Sequence, residues 1–142
     1  MRSKQSILQK LELLRKYVGY LKEYQRYALE DLQKNYTLRG AVERYFQLAI
    51  ECVIDIAEII ISDLKIERPG EYREAIDLLG EKGILPGDFA YYFAPIAGFR
   101  NILVHEYIKV DLKEVYRHLK KDLPDFDKFA RYIADYLSEK NP

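Results

Sequence analysis

The sequence predicts an all-α protein, a bundle of long helices with additional short ones. Apolar residues recur every three or four positions over most of the chain, and glycine and proline lie between these stretches. No stretch alternates apolar and polar residues as a half-buried strand does. Its 142 residues suit one domain with one sizeable core. We therefore expect a single helical domain over residues 1–142.

The first long helix is predicted to begin after Ser3, a residue type that often caps helices, and to reach about Leu32. Its apolar positions follow steps of three, four and seven and are interrupted only at Gln25, as is typical of a bundle helix. They are Ile7, Leu11, Leu14, Val18, Leu21, Ala28 and Leu32.

The second long helix is predicted to run from a cap at Thr37 to about Lys65. It has two adjoining apolar stripes, and such a wide apolar arc indicates the central helix of the bundle. The stripes are Leu38, Val42, Tyr45, Ala49, Cys52, Ile56 and Ile59, and Phe46, Ile50, Val53, Ala57, Ile60 and Leu64. The narrow polar stripe is Arg44, Gln47, Glu51, Asp55 and Glu58.

Shorter helices are predicted in the second half. One spans about 71–79, after the Pro69-Gly70 break. Another starts near Asp88 and runs toward His105, and Pro95 should kink it because proline removes a backbone hydrogen bond.

Two further helices follow. Asp111 and Glu114 have the spacing of a capping box, which predicts a helix from there to about Lys121. Pro124 suits the first turn of the last helix, whose apolar positions are Phe126, Phe129, Ile133 and Leu137.

Charge and cysteine content limit the function classes. Lys plus Arg (23) equals Asp plus Glu (23), whereas proteins that coat nucleic acid usually have a basic excess. A nuclease with a local basic site stays compatible with this balance. The single cysteine, Cys52, and the lack of an apolar signal near Met1 predict a cytoplasmic protein. No apolar run approaches the ~20 residues that span a bilayer.

Of the two histidines, His118 lies in a basic run on the polar side of its predicted helix. The favoured interpretation is a solvated face. The alternative is that Arg117, Lys120 and Lys121 hold RNA phosphates and form a local electropositive patch.

His105 lies five residues after Arg100, beside Asn101 and Tyr107. Histidine can transfer protons near neutral pH, and arginine can stabilise charge on a phosphate in the transition state. From residue types alone, however, a structural histidine at a helix end is the favoured interpretation, and catalysis is the alternative.

The spacing of the motif raises a geometric problem. At about 100° per residue, Asn101 and His105 share one face of a straight helix, whereas Arg100 and His105 lie about 140° apart. Either the helix ends or kinks before His105, or a second copy of the motif completes the site. Gly98, Ala94 and Ala90 continue the His105 face with little bulk. This predicts either close helix packing or a cleft or two-fold interface.

The pattern Arg-x4-His-x-Tyr with Asn after Arg resembles the signature of HEPN domains, and the final tyrosine resembles the HepT branch. Residues 41–57, the turn at 78–84, residues 98–101 and residues 111–116 also resemble that family, and the resemblance covers about 38–133. It implies a HEPN-type up-and-down four-helix bundle and a homodimer that brings two motifs into one cleft.

The resemblance also implies an endoribonuclease toxin that needs no metal or other cofactor. Arg100 would neutralise the scissile phosphate, and His105 would activate the ribose 2′-hydroxyl or protonate the leaving oxygen. Asn101 would orient one of them. The expected product is a 2′,3′-cyclic phosphate, so DNA should not be cut.

Regulation is also implied. In type VII-like toxin–antitoxin systems, a nucleotidyltransferase antitoxin of the MntA kind transfers AMP to the tyrosine that corresponds to Tyr107. A bulky negative group beside Arg100 would block the cleft; the alternative is a tyrosine that only packs at the helix end. Glu51 and Asp55, one turn apart, could support the site from the central helix or be solvated.

Two other functions remain open. A non-catalytic HEPN module that binds a nucleotide or a nucleotidyltransferase partner would share the fold and the dimer. A purely structural four-helix adapter would suit the apolar stripes, and the motif would then be a coincidence.

Overall fold

The helices of the computed structural model confirm the all-α prediction. The structure describes residues 2–140, without the side chains of residues 2, 107 and 140, and this part of the chain contains no strand. Its α-helices are α1 Arg2–Tyr24, α2 Leu29–Lys34, α3 Tyr36–Asp63, α4 Tyr72–Glu81, α5 Gly87–Phe93, α6 Ile96–His105, α7 Leu112–Arg117 and α8 Leu123–Lys140. A 3-10 turn, Tyr107–Lys109, follows α6, and a π-helical segment, His118–Asp122, joins α7 to α8.

Helix α3 is the centre of the bundle, as its two apolar stripes predict. It packs against α1, α2, α4 and α6, while α8 packs on α1. Aromatic contacts extend the core to the remaining helices: the Phe46 ring of α3 lies 6.5 Å from Phe126 of α8, and Phe126 lies 5.6 Å from Phe93 of α5. All three rings are buried. On the polar stripe of the same helix, Glu51 pairs with Arg100 of α6, so this part of the stripe lies beside the motif helix.

The first helix differs from its prediction at both ends. Ser3 lies inside α1 instead of capping it, and α1 ends at Tyr24 instead of continuing to Leu32. The break has a local cause: the Asp31 carboxylate accepts a hydrogen bond from the backbone N–H of Ala28 at 2.8 Å and stabilises the start of a separate helix, α2. Leu32 is nevertheless fully buried, so the apolar pattern correctly predicts its burial but not the continuity of the helix.

The cap of α3 is Asn35, and the prediction of Thr37 was wrong. The Asn35 side-chain oxygen accepts hydrogen bonds from the backbone N–H groups of Thr37 and Leu38, both at 3.1 Å. Asparagine is at least as good a cap as threonine. The helix therefore begins at Tyr36, one residue before the predicted cap.

Pro95 divides the predicted fourth helix instead of only kinking it. Ala94 and Pro95 form a turn between α5 and α6, so Arg100 and His105 lie on a separate helix that starts at Ile96. Two small residues in and before this turn are buried, Ala94 and Ala90, and a Cβ added to Gly80 of α4 would lie 2.5 Å from the Ala90 Cβ. Close helix packing therefore explains the small residue at position 90.

The predicted cap of α7 is confirmed, because Asp111 accepts a hydrogen bond from the backbone N–H of Lys113 at 3.0 Å. The two predicted C-terminal helices are not separated by a loop, since the π-helical segment joins them and Pro124 lies in the first turn of α8. Across residues 2–140, no helix is both long enough and apolar enough to cross a membrane.

Candidate active site

Arg100 is held from both sides of its guanidinium group. Its Nε and Nη2 atoms donate to one carboxylate oxygen of Glu51 on α3, at 3.1 and 2.8 Å, and its Nη1 donates to the Asn101 side-chain oxygen at 3.2 Å. The Arg100 side chain is only 16% exposed. Burying a charge to this degree is unfavourable without a partner, so Glu51 fixes the position of the arginine and offsets its desolvation.

The hydrogen bonds of Arg100 leave part of the group available to a ligand. A guanidinium has five N–H donors, and the contacts with Glu51 and Asn101 use three of them. Two N–H groups remain, both at the Nη end of the side chain. Two donors on one planar group match two oxygens of a phosphate.

A ring and an amide complete the surroundings of Arg100. The Tyr72 ring at the start of α4 has its centroid 5.4 Å from the guanidinium carbon, within the range of a cation–π contact. Gln47, one turn before Glu51, donates to the same Glu51 oxygen at 3.3 Å. Neither Gln47 nor Tyr72 was a predicted site residue. Gln47 lies on the polar stripe and could have been found there, whereas no sequence pattern signals Tyr72.

Asp55 lies near this group but faces a different partner. It lines a cavity of about 180 Å³ together with Glu51, Tyr72 and Arg100. Its carboxylate pairs with Lys10 of α1 at 3.0 Å, and this hydrogen bond raises the pKa of Lys10. Of the two predicted supporting carboxylates, only Glu51 therefore contacts Arg100.

His105 is the last residue of α6 and is exposed. Within the described part of the chain, it has no hydrogen bond or ion pair. Because α6 includes both Arg100 and His105, they lie about 140° apart around one helix. The alternative in which the helix ends before His105 is therefore wrong, and a single chain directs the two side chains in different directions.

Tyr107 lies two residues after this end of α6. Its backbone begins the 3-10 turn Tyr107–Lys109. Its side chain lies outside the described residues, and so does the prediction that a group attached to it would lie beside Arg100.

The expectation of a solvated His118 was wrong. The His118 side chain is 12% exposed, its Nδ1 lies 2.7 Å from a carboxylate oxygen of Asp122, and its ring packs at 4.5 Å from the Phe99 ring. The neighbouring residues explain the error, because His118 lies three positions after the buried Val115 and next to the buried Leu119, at the edge of the apolar face.

The basic residues around His118 do not converge on Arg100. Arg117 lies 3.8 Å from Asp122 and lines a cavity of about 370 Å³ that reaches Gly98 and Ile102 of α6. Lys120 donates to the backbone carbonyl of Gln25, and Lys121 is exposed. Of the three predicted RNA-binding residues, Arg117 is thus the one whose cavity adjoins the motif helix.

Two further observations concern metal ligands and the cysteine of the described residues. They contain no group of three or more His, Cys, Asp or Glu side chains arranged to hold a metal ion. Burial raises the pKa of Cys52 to about 11, so this thiol stays protonated at neutral pH and is a poor nucleophile.

Comparison with known sequences gives a family and named relatives. The family model described as "Ribonuclease HepT-like" matches residues 7–133. A protein named "tRNA nuclease HepT" from Aphanizomenon flos-aquae is 34% identical over 128 residues, which is 90% of this chain and 87% of that one. A protein named "mRNA nuclease HepT" from Shewanella oneidensis is 28% identical over 101 residues, 71% of this chain and 76% of the other.

Solved structures share the fold. The cytosolic protein YutE from Bacillus subtilis has a TM-score of 0.85 at 20% identity, covering 97% of this chain and 92% of its own. A tri-AMPylated HEPN toxin from Shewanella oneidensis, in complex with an MNT antitoxin, has a TM-score of 0.82 at 23% identity, covering 91% and 96%. The match to the family model over residues 7–133, with this all-α HEPN fold, shows that the chain belongs to the ribonuclease HepT-like family.

Proposed function

We propose that this protein is a metal-independent endoribonuclease toxin that cleaves RNA through Arg100 and His105 in a cleft between two copies. The main support is the Arg100 guanidinium, fixed by Glu51 and Asn101 with two N–H groups left for a phosphate. The named relatives, a tRNA nuclease and an mRNA nuclease, support RNA as the substrate class.

The proposed reaction is a transesterification within the RNA. The ribose 2′-oxygen attacks phosphorus as its proton is removed, the bond from phosphorus to the 5′-oxygen breaks, and that oxygen receives a proton. His105 transfers one of these protons, while the free donors of Arg100 neutralise charge on the phosphate oxygens. Asn101 orients Arg100 through the bond to Nη1. The products are a 2′,3′-cyclic phosphate and a 5′-hydroxyl.

Two copies are proposed because one chain separates the catalytic groups around α6. A second copy that approaches the exposed face of Gly98 and Asn101 would bring its own motif helix close to the first. A Cβ built at Gly98 has no atom within 4 Å, so this face can accept a close neighbour. We infer that each active site combines Arg100 of one copy with His105 of the other.

The first test assays purified protein of verified mass on total RNA in EDTA, with His105→Ala beside it. We expect cleavage that leaves 2′,3′-cyclic phosphate ends and no cleavage of DNA. His105→Ala should lower the rate by about a hundredfold or more and leave the unfolding temperature unchanged, since His105 is exposed. Gln33→Ala, an exposed polar position on α2, is the control. Absence of cleavage by AMP-free parent protein would favour the non-catalytic binding module.

Mixing two inactive variants tests the shared site. Arg100→Ala and His105→Ala should each be inactive, but a dimer of one with the other keeps one intact site. After random subunit exchange, we expect about a quarter of the parent activity, because half of the dimers are mixed and each has one of two sites intact. If both groups act within one chain, the mixture stays inactive.

We also propose that a partner nucleotidyltransferase of the MntA kind neutralises the enzyme by transferring AMP to Tyr107. The supporting observations are the position of Tyr107, two residues after His105, and the AMPylated state of the Shewanella toxin described above. The phosphate of an attached AMP would compete with RNA for the free donors of Arg100.

Co-expression with the candidate partner, followed by mass spectrometry, tests this regulation. We expect a mass gain of one or more AMP units on the peptide that contains Tyr107, together with loss of ribonuclease activity. Tyr107→Phe should remain unmodified and active beside the partner. A Tyr107→Phe protein that the partner still neutralises by AMP transfer would show that another residue is the acceptor.

A further inference from the structure

A surface depression of about 320 Å³ lies between the start of α4 and helix α6. Small residues give it an open floor, since a Cβ built at Gly70 or Gly98 has no atom within 4 Å. Its volume falls in the usual range for ligand sites. The lining residues are Gly70, Glu71, Tyr72, Arg73, Ala97, Gly98 and Asn101.

The depression adjoins the surroundings of Arg100 through two shared residues. Asn101 lines it and also accepts the hydrogen bond from Arg100 Nη1. Tyr72 lines it and also places its ring 5.4 Å from the Arg100 guanidinium carbon. A chain that occupies the depression would therefore lie next to the free donors of Arg100.

Arg73 is the positively charged residue among those that line this depression, and its side chain is exposed. Across the described residues it has no hydrogen bond or ion pair. Other arginines close to the same surface already have a carboxylate partner: Arg68 pairs with Glu58 at 2.7 Å, and Arg100 pairs with Glu51 at 2.8 Å. Among the described residues, the charge of Arg73 is not offset by such a partner, so all of its donors are available to an anion.

We infer that Arg73 binds a phosphate of the RNA backbone beside the scissile one, with the depression as the path of the flanking nucleotide. The inference rests on the proposed function. An arginine matches a phosphodiester in charge and in its paired donors. Glu71 lines the same depression, and its carboxylate repels that phosphate. Removing the charge of Arg73 should therefore weaken phosphate binding, and removing the charge of Glu71 should strengthen it. The two substitutions test the inference independently.

The test measures binding of a fluorescent 2′-O-methyl RNA oligonucleotide by anisotropy at several KCl concentrations. This RNA lacks the attacking hydroxyl, so binding is measured whether or not the protein is a nuclease. Arg73→Gln should weaken binding roughly fivefold at low salt and reduce the slope of log K against log [KCl] by about 0.7, the value for one phosphate contact on a single strand. Arg73→Lys should keep the slope, and Glu71→Gln should tighten binding.

Arg15→Gln is the matched control. Arg15 is also exposed and without a hydrogen bond or ion pair in the described part of the chain, but it lies on α1 and lines a different depression. The substitution removes the same charge, so it corrects for the overall charge of the protein. We expect Arg15→Gln to bind the oligonucleotide with the same affinity and the same salt dependence as the parent.

The outcomes separate this inference from the proposed function. If Arg73→Gln and Arg15→Gln bind the oligonucleotide with the same affinity and the same salt dependence, the inference is wrong even if the parent cleaves RNA. A parent that does not bind the oligonucleotide would also overturn the inference. A parent that binds with the Arg73-dependent slope but does not cleave natural RNA would overturn the nuclease proposal and leave the phosphate site. In an active parent, Arg73→Gln should raise KM and leave kcat unchanged.

Discussion

Arg100 and His105 belong to the same short helix, yet they differ in burial and in the contacts that they make. Arg100 is mostly buried and is bound by Glu51, Asn101 and the Tyr72 ring. His105 is exposed, and within residues 2–140 it contacts no hydrogen-bonding or charged partner. One chain therefore fixes the arginine of the motif completely, whereas the histidine at the end of α6 has no such contacts among the residues that the structure describes.

The difference has an energetic reason. A partly buried guanidinium is stable only with a compensating charge, so Arg100 needs Glu51 from α3 and is fixed as a result. An exposed imidazole needs no such compensation and stays free to reorient. The arginine should accordingly respond to changes in the bundle, whereas the histidine should respond to changes at the exposed surface of α6.

Among substitutions that leave Arg100 and His105 themselves in place, the largest effect on activity should come from removing the charge that holds Arg100. In Glu51→Gln, the guanidinium loses its ionic partner and reorients, and we expect kcat for RNA cleavage to fall roughly ten- to a hundredfold, as for other small misplacements of catalytic groups. The free energy of unfolding should fall by about 1–2 kcal/mol, because a partly buried charge loses its hydrogen-bonded partner. Single-turnover kinetics and urea unfolding measure the two effects.

Glu58→Gln is the control for that substitution. Glu58 is on the same polar stripe of α3 and pairs with Arg68 instead of Arg100. It should leave kcat unchanged. If kcat is also unchanged in Glu51→Gln, the function of Arg100 does not depend on its ion pair with Glu51. The contrast between a fixed arginine and a free histidine would then have no effect on activity.

The sequence predicted the features that depend on neighbouring residues. Two apolar stripes identified α3 as central, and Asp111 was identified as a cap, because periodicity and capping act within a few residues. The end of α1 was missed although its cause is also local, since the hydrogen bond from the Ala28 N–H to Asp31 starts a new helix within an apolar pattern that continues to Leu32.

The site was predictable only in part. The motif shows Arg100 and His105 directly, and the polar stripe shows Glu51, but nothing in the spacing joins residues 49 positions apart into one ion pair. Tyr72 and Arg73 have no sequence signal, because their closeness to the motif arises from the packing of α4 beside α6. The sequence therefore identifies the candidate side chains, but their contacts depend on tertiary packing that the sequence pattern does not show.

Two glycines extend the comparison between buried and open surfaces to the stability of the helix packing. Gly80→Ala places a Cβ 2.5 Å from that of Ala90 inside the α4–α5 contact, so we expect a loss of about 1–3 kcal/mol in unfolding free energy. Gly98→Ala places a Cβ in open space on α6 and should raise unfolding free energy by up to about 1 kcal/mol, because alanine loses less backbone entropy on folding. Urea unfolding of both variants measures these opposite signs.

The cleavage rate of Gly98→Ala tests whether another molecule packs against this face of α6. If another copy or the RNA backbone approaches α6 closely, the added methyl group should lower cleavage several-fold in a protein that is more stable than the parent. A stability effect cannot produce that combination, since a more stable fold would leave the rate unchanged or raise it. Gly98→Ala with the parent rate and the parent dimer affinity would show that nothing packs against this face. The partner for His105 would then have to approach α6 from the end of the helix.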